Sequence, residues 1–502
     1  MINKILENKN ITLCFLFVSI VPFIVSVSDI YFGRIAFWYD PARDFLLALK
    51  NLENPTFIGQ PSGLPGLFYG PYWVWIISVL TLISKDPRVV VFSLLTIPYF
   101  TIFPFILYRI SKSWGLFIFI SIWLLFILNF GSYANQIWNV HYGALCLIGA
   151  VYLFINSDNK KHNASFVYIA LGFLVGLITN FHLSFGIPTT VAFISSLVLV
   201  HVFEYRKKFV ESLGLLFKKT LLLIMGIGFS FFPFLLFEIR HNFIQSKTFI
   251  KAITNSIVYN TASVGQTGMT DRDIVTSFFS KFSDLIGAPN YYSVLIFSIT
   301  VIFILILFLN RKITFKKFEI RLIILILTIS FFLISSFIFN ENPTWAYYFI
   351  GVEILFLLFI GLFLSKISWG KYIIIIPLLL AVFSRSGDLQ NVFEKNNFTN
   401  SDLGSRTHIA EFVFNDAEKD FGYIAYSSAI YTYEYDYLFN WQDEKNDKNV
   451  DQNSKLVYVI IPKVTKVTEI DFINYKTPSD KYNLVEKWSF PDGTNVYKML
   501  KK

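Results

Sequence analysis

Residues 37–72 read FWYDPARDFLLALKNLENPTFIGQPSGLPGLFYGPY, a charged and aromatic stretch that follows the first long apolar run almost at once. It carries Asp40, Arg43 and Asp44 within five residues. A segment rich in proline and glycine comes next, and a cluster of aromatic residues follows it. The pattern indicates that charged side chains able to carry out chemistry are set at a membrane surface.

The residues around Pro41 predict a short helix. Proline disfavours a helical conformation for the residue before it and is itself favoured as the first helical residue. Asp40 is therefore predicted to be the N-cap of a helix over residues 42–51. Arg43 and Asp44 lie one turn further on and can share its face. Two interpretations stay open, namely a cap with a surface ion pair and a cluster with a catalytic function.

The composition is that of a polytopic membrane protein. Of the 502 residues 54% are hydrophobic and 15% are charged, which excludes an ordinary soluble globular protein. The net charge of +9 does not indicate a nucleic-acid partner, because residues 385–502 contain 15 Lys and Arg against 18 Asp and Glu. The basic excess lies instead in loops between apolar runs, as expected for cytoplasmic loops.

Apolar runs of about 20 residues predict an α-helical membrane protein with eleven spans. The spans cover roughly residues 11–30, 89–108, 115–131, 141–156, 165–180, 185–203, 220–237, 291–310, 321–339, 345–365 and 372–384. Residues 69–84 are predicted to be a re-entrant or interfacial helix, because only then do the basic loops share the cytoplasmic side. The N-terminus is then cytoplasmic, and the expected location is the plasma membrane.

The last part of the chain differs from the rest. Residues 1–384 are predicted to form the transmembrane domain, and residues 385–502 a small extracytoplasmic α/β domain. Helical and strand patterns occur at residues 407–419, 422–427, 456–462 and 482–490. The tyrosine-rich segment 431–441 is interpreted as part of this domain's core, with a surface facing the membrane or a substrate as the alternative.

The motif Asp-Pro-Ala-Arg-Asp, followed by Gly-Leu-Phe-Tyr-Gly-Pro-Tyr-Trp, resembles the first outer loop of the GT-C membrane glycosyltransferases. The pattern is most similar to protein mannosyltransferases and aminoarabinose transferases. This resemblance implies a polyprenyl-phosphate sugar as the donor and Asp40 as the catalytic base. Two departures are visible. Many members carry a second acidic residue where this chain has Asn135 and Asn139, and members often have Lys or Arg in the segment corresponding to residues 67–73, where this chain has none.

Sugar transfer from a lipid phosphate needs a base for the incoming hydroxyl and cationic or hydrogen-bonding groups for the leaving phosphate. Asp40 is the predicted base. Arg43 is expected to orient Asp40 or to bind the phosphate, and Asp44 to support Arg43 or to bind an acceptor. Arg240 is a second candidate for the phosphate, because a guanidinium offers a bidentate fork. An interfacial anchor is the alternative interpretation of Arg240.

Further polar residues on the predicted outer side are candidates for substrate binding. They are Tyr69, Asn139, His182, Glu238, His241 and Tyr347, and a structural role is the alternative for each. Glu353 lies inside a predicted span and is interpreted either as a cavity residue or, preferably, as a protonated acid hydrogen-bonded to a neighbouring helix. No ligand spacing for a metal is visible. A divalent metal is left open, and no other cofactor is expected.

The sequence therefore predicts an inverting glycosyltransferase whose acceptor is a lipid, a glycan or a protein outside the cytoplasm. A transporter or flippase of lipid-linked saccharides is one alternative, and it would be favoured by repeat symmetry, which is not visible. A polymerase or ligase of such saccharides is another, and an outer loop rich in arginine is expected for it. Residues 238–290 contain only Arg240 and Arg272.

Overall fold

The computed structural model describes residues 9–62, 66–157, 164–258, 271–286, 314–338, 346–384, 401–417, 419–427, 431–443 and 449–502, and also residues 294, 295, 298 and 399. The helices are α1 Lys9–Phe32, α2 Tyr39–Glu53, α3 Tyr72–Thr81, α4 Pro87–Ser111, α5 Leu116–Asn129, α6 Asn139–Ile155, α7 Ala164–Phe181, α8 Leu183–Tyr205, α9 Phe209–Arg240, α10 Ile244–Val258, α11 Asp271–Ile286, α12 Lys317–Ile338, α13 Val352–Leu364, α14 Ile375–Ser384, α15 Leu403–Asp416, α16 Tyr433–Asp443 and α17 Lys466–Lys476. Short helical turns lie at Ser132–Asn135, Ala346–Phe349 and Gly370–Ile373. The strands are β1 Gly422–Ala425, β2 Leu456–Ile461, β3 Tyr482–Ser489 and β4 Asn495–Lys501.

The helical part of the chain is that of a multi-pass membrane protein. Within the described residues five helices, α4, α7, α8, α9 and α12, are long and apolar enough to cross a membrane. Shorter apolar helices include α5, α6 and α13. The predicted span at residues 291–310 lies almost entirely outside the described residues. Side chains between these helices form one large apolar core, which includes Trp123, Phe126 and Phe193.

Helix α3 is too short to cross a membrane by itself. Its ten residues rise about 15 Å, half of a typical hydrocarbon thickness. It packs on α2 instead, where the Ser78 hydroxyl lies 3.0 Å from the Ala48 carbonyl and accepts a 3.1 Å hydrogen bond from the Asn51 amide. The re-entrant or interfacial placement of residues 69–84 stays a prediction. The packing of α3 against α2 gives the 37–72 segment a rigid base.

The last part of the chain forms a small sheet, as predicted. The strand order is β1-β2-β4-β3, with β1 parallel to β2 and the other neighbours antiparallel. Strand β4 and helix α17 were not predicted from the sequence. In α16 the side chains of Tyr435, Tyr437, Phe439 and Trp441 are buried, which confirms the core interpretation of the tyrosine-rich segment for these residues. Tyr431, just before α16, is exposed.

The C-terminal part is joined to the chain just before α2. The backbone amides of Phe37, Leu403 and Gly404 donate 2.9 Å hydrogen bonds to Ser401, Ile35 and Gly33, in that order. At Gly33, with φ +76°, a Cβ atom would lie 2.6 Å from the Gly404 backbone, so a side chain does not fit there. The close contact between the two glycine backbones ties the start of α15 to the segment that leads into α2.

Candidate active site

The start of α2 differs from the prediction. The helix begins at Tyr39, and the residue in the N-cap position is Trp38, which forms no side-chain cap. Asp40 is thus inside the first turn, and the prediction that it is the N-cap was wrong. The physical reason lies one turn further on, because the Asp40 carboxylate accepts a 2.7 Å hydrogen bond from Arg43 Nη1 instead of capping a backbone amide. The helix itself and the common face of its charges were predicted correctly.

Three charged residues and one indole form a continuous hydrogen-bonded chain. Arg43 also donates from Nε and Nη2 to Asp44 Oδ1, at 3.0 and 2.7 Å. The other oxygen of Asp44 accepts a 2.8 Å hydrogen bond from Trp73 Nε1, which brings in α3. Asp40 keeps 35% of its side chain exposed, whereas Arg43 keeps 13% and Asp44 only 4%. The chain therefore runs from a buried end at Trp73 to an accessible carboxylate at Asp40.

Burial and neighbouring charges shift the pKa values of Asp44 and Arg43 in opposite directions. Burial raises the pKa of Asp44 to about 6, although Arg43 and the Trp73 hydrogen bond act to lower it. Burial acts to lower the pKa of Arg43, but the charges of Asp44 and Asp40 outweigh it and raise that pKa. Arg43 is accordingly a permanent cation held between two carboxylates. Such an arrangement can present positive charge next to a carboxylate that water reaches.

Aromatic side chains form a wall beside the charges. The ring of Tyr69 stacks on His182 with 6.4 Å between centroids, and the His182 ring lies 5.6 Å from Tyr348. Burial raises the pKa of Tyr69, and Tyr348, Arg43 and Asp40 all act on it electrostatically. Tyr69 and His182 are therefore brought together near the Asp40 cluster. The side chain of Tyr347 lies outside the described part of the chain, so its predicted role stays a prediction.

The C-terminal part adds tyrosines beside the start of α2. Tyr39 lies 4.9 Å from Tyr433, and Tyr433 stacks in parallel on Tyr431 at 5.3 Å. The Arg43 guanidinium lies 5.7 Å from the centre of the Tyr39 ring. The interpretation of the tyrosine-rich segment as core is thus incomplete, because its first residues face the charged end of α2. Exposed rings of this kind can pack against the apolar face of a ligand.

Glu238 has a structural role. Its carboxylate accepts hydrogen bonds from the backbone amides of Gln245 and Ser246 at 2.8 and 2.7 Å, at the start of α10. The Gln245 side chain in turn accepts a 2.9 Å hydrogen bond from the backbone of Phe68. An acidic group at a helix N-terminus is stabilised there by the exposed amides and the helix dipole. Glu238 therefore anchors the 37–72 segment through α10.

Arg240 and His241, the other two candidates at this end of α9, make no contact with the Asp40 cluster within the described residues. Arg240 is exposed and makes no hydrogen bond or ion pair with another residue of that part of the chain. His241 stacks on Phe237 at 4.0 Å, and its Nδ1 lies 2.9 Å from the Phe237 carbonyl oxygen. Asn139 donates a short hydrogen bond to the Phe181 carbonyl, next to His182. Asn139 thus supports the His182 turn, and substrate binding by Arg240 or His241 stays a prediction.

A second charged group was missed by the sequence analysis. Lys281 of α11 lies 3.1 Å from the fully buried carboxylate of Glu353. The other oxygen of Glu353 accepts hydrogen bonds from the Tyr133 hydroxyl and the Gly351 amide, at 2.8 and 2.7 Å. The predicted hydrogen bond of Glu353 is present, and the ion pair with Lys281 is a further contact that the sequence did not predict. The available signal was a single lysine among the phenylalanines of residues 278–282.

The described part of the chain contains no group of three or more His, Cys, Asp or Glu side chains placed to hold a metal ion.

No protein-family model matches the chain, and no curated protein sequence matches it either. Among solved structures, ArnT from Cupriavidus metallidurans bound to undecaprenyl phosphate is similar, with a TM-score of 0.57 and 10% identity over 98% of both chains. The apo structure of the same ArnT gives a TM-score of 0.58, with the same identity and coverage. At this identity the likeness concerns the fold. The chain therefore has the fold of ArnT, and the resemblance of residues 37–72 to aminoarabinose transferases is confirmed at the level of the fold.

Proposed function

We propose that this protein is an inverting glycosyltransferase, which moves a sugar from a polyprenyl-phosphate donor to an acceptor on the extracytoplasmic side of the membrane. The solved structure that shares its fold is described as bound to undecaprenyl phosphate, which supports a donor of this lipid class. Residues 1–384, with eleven spans, would form the catalytic domain, and residues 385–502 an extracytoplasmic domain. The N-terminus would be cytoplasmic, and the acceptor would be a lipid, a glycan or a protein.

The observation that carries this proposal is the series of hydrogen bonds that joins the side chains of Asp40, Arg43, Asp44 and Trp73. Asp40 is accessible and held in place by Arg43, as a general base must be. The acceptor oxygen attacks the anomeric carbon while the bond from that carbon to the phosphate oxygen breaks. The bonding electron pair leaves with the phosphate, and the hydroxyl proton passes to Asp40. One displacement of this kind inverts the configuration at the anomeric carbon.

Arg43 is the proposed group for the leaving phosphate. A guanidinium has five N–H donors, and the three hydrogen bonds to Asp40 and Asp44 leave two of them for a phosphate oxygen. Its permanent charge would stabilise the negative charge that develops on the phosphate. Tyr69 and His182 would form the wall beside it. Arg240 remains a proposed second contact for the phosphate, at the exposed end of α9.

The test is the Asp40→Asn variant, assayed in membranes with radiolabelled polyprenyl-phosphate sugars and envelope lipids, glycans and proteins as acceptors. We expect transfer to be abolished while the protein still inserts, because an amide cannot take up the hydroxyl proton. Asp86→Asn is the matched control, because Asp86 caps α4 and pairs with Arg88, and asparagine caps a helix equally well.

Full transfer by Asp40→Asn would remove Asp40 as the base. Movement of the labelled lipid across the membrane without transfer to any acceptor would favour the flippase alternative. Label that appears in a lengthening lipid-linked chain would favour a polymerase.

A further inference from the structure

A cavity of about 330 Å³ lies beside the start of α2 and has no role in the chemistry proposed so far. Its volume is at the lower end of the range for small-molecule pockets. Trp38, which lines it, is the residue before α2 and stands two positions ahead of Asp40. The lining also includes Gln136, Trp138 and the ion pair of Lys281 with Glu353. The cavity is therefore linked to the proposed base through Trp38, although Asp40 is not part of its lining.

The charges in this lining cancel. Lys281 and Glu353 are the only Lys, Arg, Asp or Glu among the described residues that line it, and they lie 3.1 Å apart. Glu353 is fully buried and is fixed further by Tyr133 and the Gly351 amide. A ligand that carries a charge of its own would find each of these groups already paired, and burying that charge without a partner would be costly.

The rest of the lining suits a polyhydroxylated ring. The Trp38 and Trp138 rings meet edge to face at 6.2 Å, and 42% of Trp38 is exposed, so its face can pack against C–H groups. His141 Nδ1 lies 3.1 Å from the Gln136 carbonyl. A carbonyl can only accept, so Nδ1 carries the proton, and in the neutral ring Nε2 is an acceptor. Lys281, whose side chain is 18% exposed, offers N–H donors to hydroxyl groups.

We infer that this cavity binds the sugar ring of the donor and that the ring is uncharged, a neutral hexose or pentose and not an amino sugar or a uronic acid. This inference rests on the proposed function, because it takes the sugar to be carried on a polyprenyl phosphate. The ring would stack on the two tryptophans, and Lys281, with its charge balanced by Glu353, would hydrogen-bond the hydroxyl groups of the ring. Specificity would come from the cost of leaving a charged substituent unpaired.

The test measures binding of four probes to the purified full-length protein in nanodiscs. The probes are polyprenyl phosphate without a sugar and the same lipid phosphate carrying glucose, an aminopentose or a uronic acid. We expect glucose to increase the affinity about tenfold over the sugar-free lipid, and the two charged sugars not to do so. If the sugar-free lipid does not bind, the proposed function itself fails. If that lipid binds but glucose adds nothing, or a charged sugar binds most tightly, the inference is overturned.

Substitutions of residues that line the cavity provide a second test, which does not depend on the affinities measured for the wild type. Trp138→Ala should lose the gain from glucose and keep its affinity for the sugar-free lipid. Lys281→Met leaves a carboxylate unbalanced and should shift preference to the aminopentose, whereas Glu353→Gln should shift it to the uronic acid. Lys366→Met is the matched control. Lys366 lies 2.6 Å from Glu319, and the two are 15% and 1% exposed, but neither lines the cavity.

The control should keep the wild-type order of the four probes. Unchanged preference in both Lys281→Met and Glu353→Gln, with normal binding of the sugar-free lipid, would overturn the inference. If removal of a buried charge prevents either protein from folding, Trp138→Ala decides. An undiminished gain from glucose in that variant would count against the cavity, and a lost gain would support it.

Discussion

At the scale of single residues, two carboxylates that share one arginine are placed in different surroundings. Asp40 keeps a third of its side chain in solvent, and Asp44 is almost completely buried against Trp73. A base must reach the acceptor, so accessibility suits Asp40, whereas a support benefits from burial and fixed hydrogen bonds. Because the environments differ, the roles differ, although both residues are aspartates four positions apart on α2.

Arg43→Lys should keep the positive charge but lose the hydrogen-bond geometry that joins Arg43 to Asp40 and Asp44. Lysine is a compact point charge without a planar fork, so it cannot hold both Asp40 and Asp44 in the observed arrangement. We expect transfer to fall about a hundredfold, the effect of misplacing a catalytic group by about 1 Å. The measurement is the initial rate in membranes with equal amounts of folded protein. Arg34→Lys is the control, because Arg34 is similarly buried and bonded to Asp29 and Ser28. Equal rates in the two variants would contradict the role of Arg43.

In a plot of transfer rate against pH, Asp44 should cause the rate to decline on the acid side of about pH 6. Its folded pKa is about 6, above the ordinary 3.8, so below pH 6 the carboxyl becomes neutral and attracts Arg43 less. We expect transfer to decline as the pH falls through 6 for this reason. Asp44→Asn is neutral at every pH, so it should be slower at pH 7 and should lack this decline. A profile with the same decline in both proteins would show that another group titrates.

The contribution of Asp44 to folding stability should change with pH in the direction opposite to the transfer rate. The folded state holds the Asp44 proton up to about pH 6, and the unfolded chain releases it near 3.8. Between these values the folded state binds more protons, so stability from this group is greatest at the acid end and is lost as the pH rises through 6. Thermal unfolding from pH 4 to pH 7 should show this contribution in the wild type. It should be absent from Asp44→Asn.

At the scale of secondary structure, short-range patterns predicted which segments form helices, and long-range contacts decided what their residues do. The helix after Pro41 was predictable from spacing and the proline. The bond from Arg43 to Asp40, which replaces the expected cap, was a choice between two local partners that spacing does not decide. Lys281 could not be assigned, because its partner Glu353 lies on a distant segment. The amides that Glu238 binds are seven and eight positions later, but they depend on how the chain turns between α9 and α10.

Gly70 is where the 37–72 segment packs against α7. A Cβ atom at Gly70 would lie 1.8 Å from Asn180 Oδ1 and 2.6 Å from its Cγ. The Asn180 amide is held by the Gly176 carbonyl, so it cannot simply turn away. We expect Gly70→Ala to destabilise the protein by about 1–3 kcal/mol, as overpacking does, and to lower transfer. Gly228→Ala is the control, because a Cβ there meets nothing within 4 Å. Identical unfolding temperatures in detergent would contradict the expectation.

At the scale of the whole molecule, the C-terminal part helps to build the site. Arg406 donates a 2.8 Å hydrogen bond to the Phe37 carbonyl, a residue 369 positions earlier. The ring of Tyr437 packs 5.1 Å from Phe45 of α2. The sequence predicted the small sheet from its strand patterns, but not this contact, because hydrophobic periodicity describes one element at a time. The proposed boundary near residue 385 therefore separates two regions that share the surroundings of one helix.

Arg406 should couple these regions. Its guanidinium bonds both the Phe37 carbonyl and the Glu434 carboxylate at 2.8 Å, and the ion pair is about nine-tenths buried. Arg406→Met removes both bonds and leaves Glu434 without this cation, which is strongly destabilising at a buried site. We expect faster amide hydrogen exchange across residues 35–45 and slower transfer, with exchange in α7 and α8 unchanged.

Lys498→Met is the control for Arg406→Met, because Lys498 pairs at 2.8 Å with Asp416, a residue of the same C-terminal part. This variant should leave exchange in residues 35–45 at the wild-type rate, even if the sheet itself is weakened. Slow exchange there in Arg406→Met would mean that α2 is held in place without Arg406. In that case the hydrogen bond from Trp73 to Asp44, and not the C-terminal part, would position the proposed base.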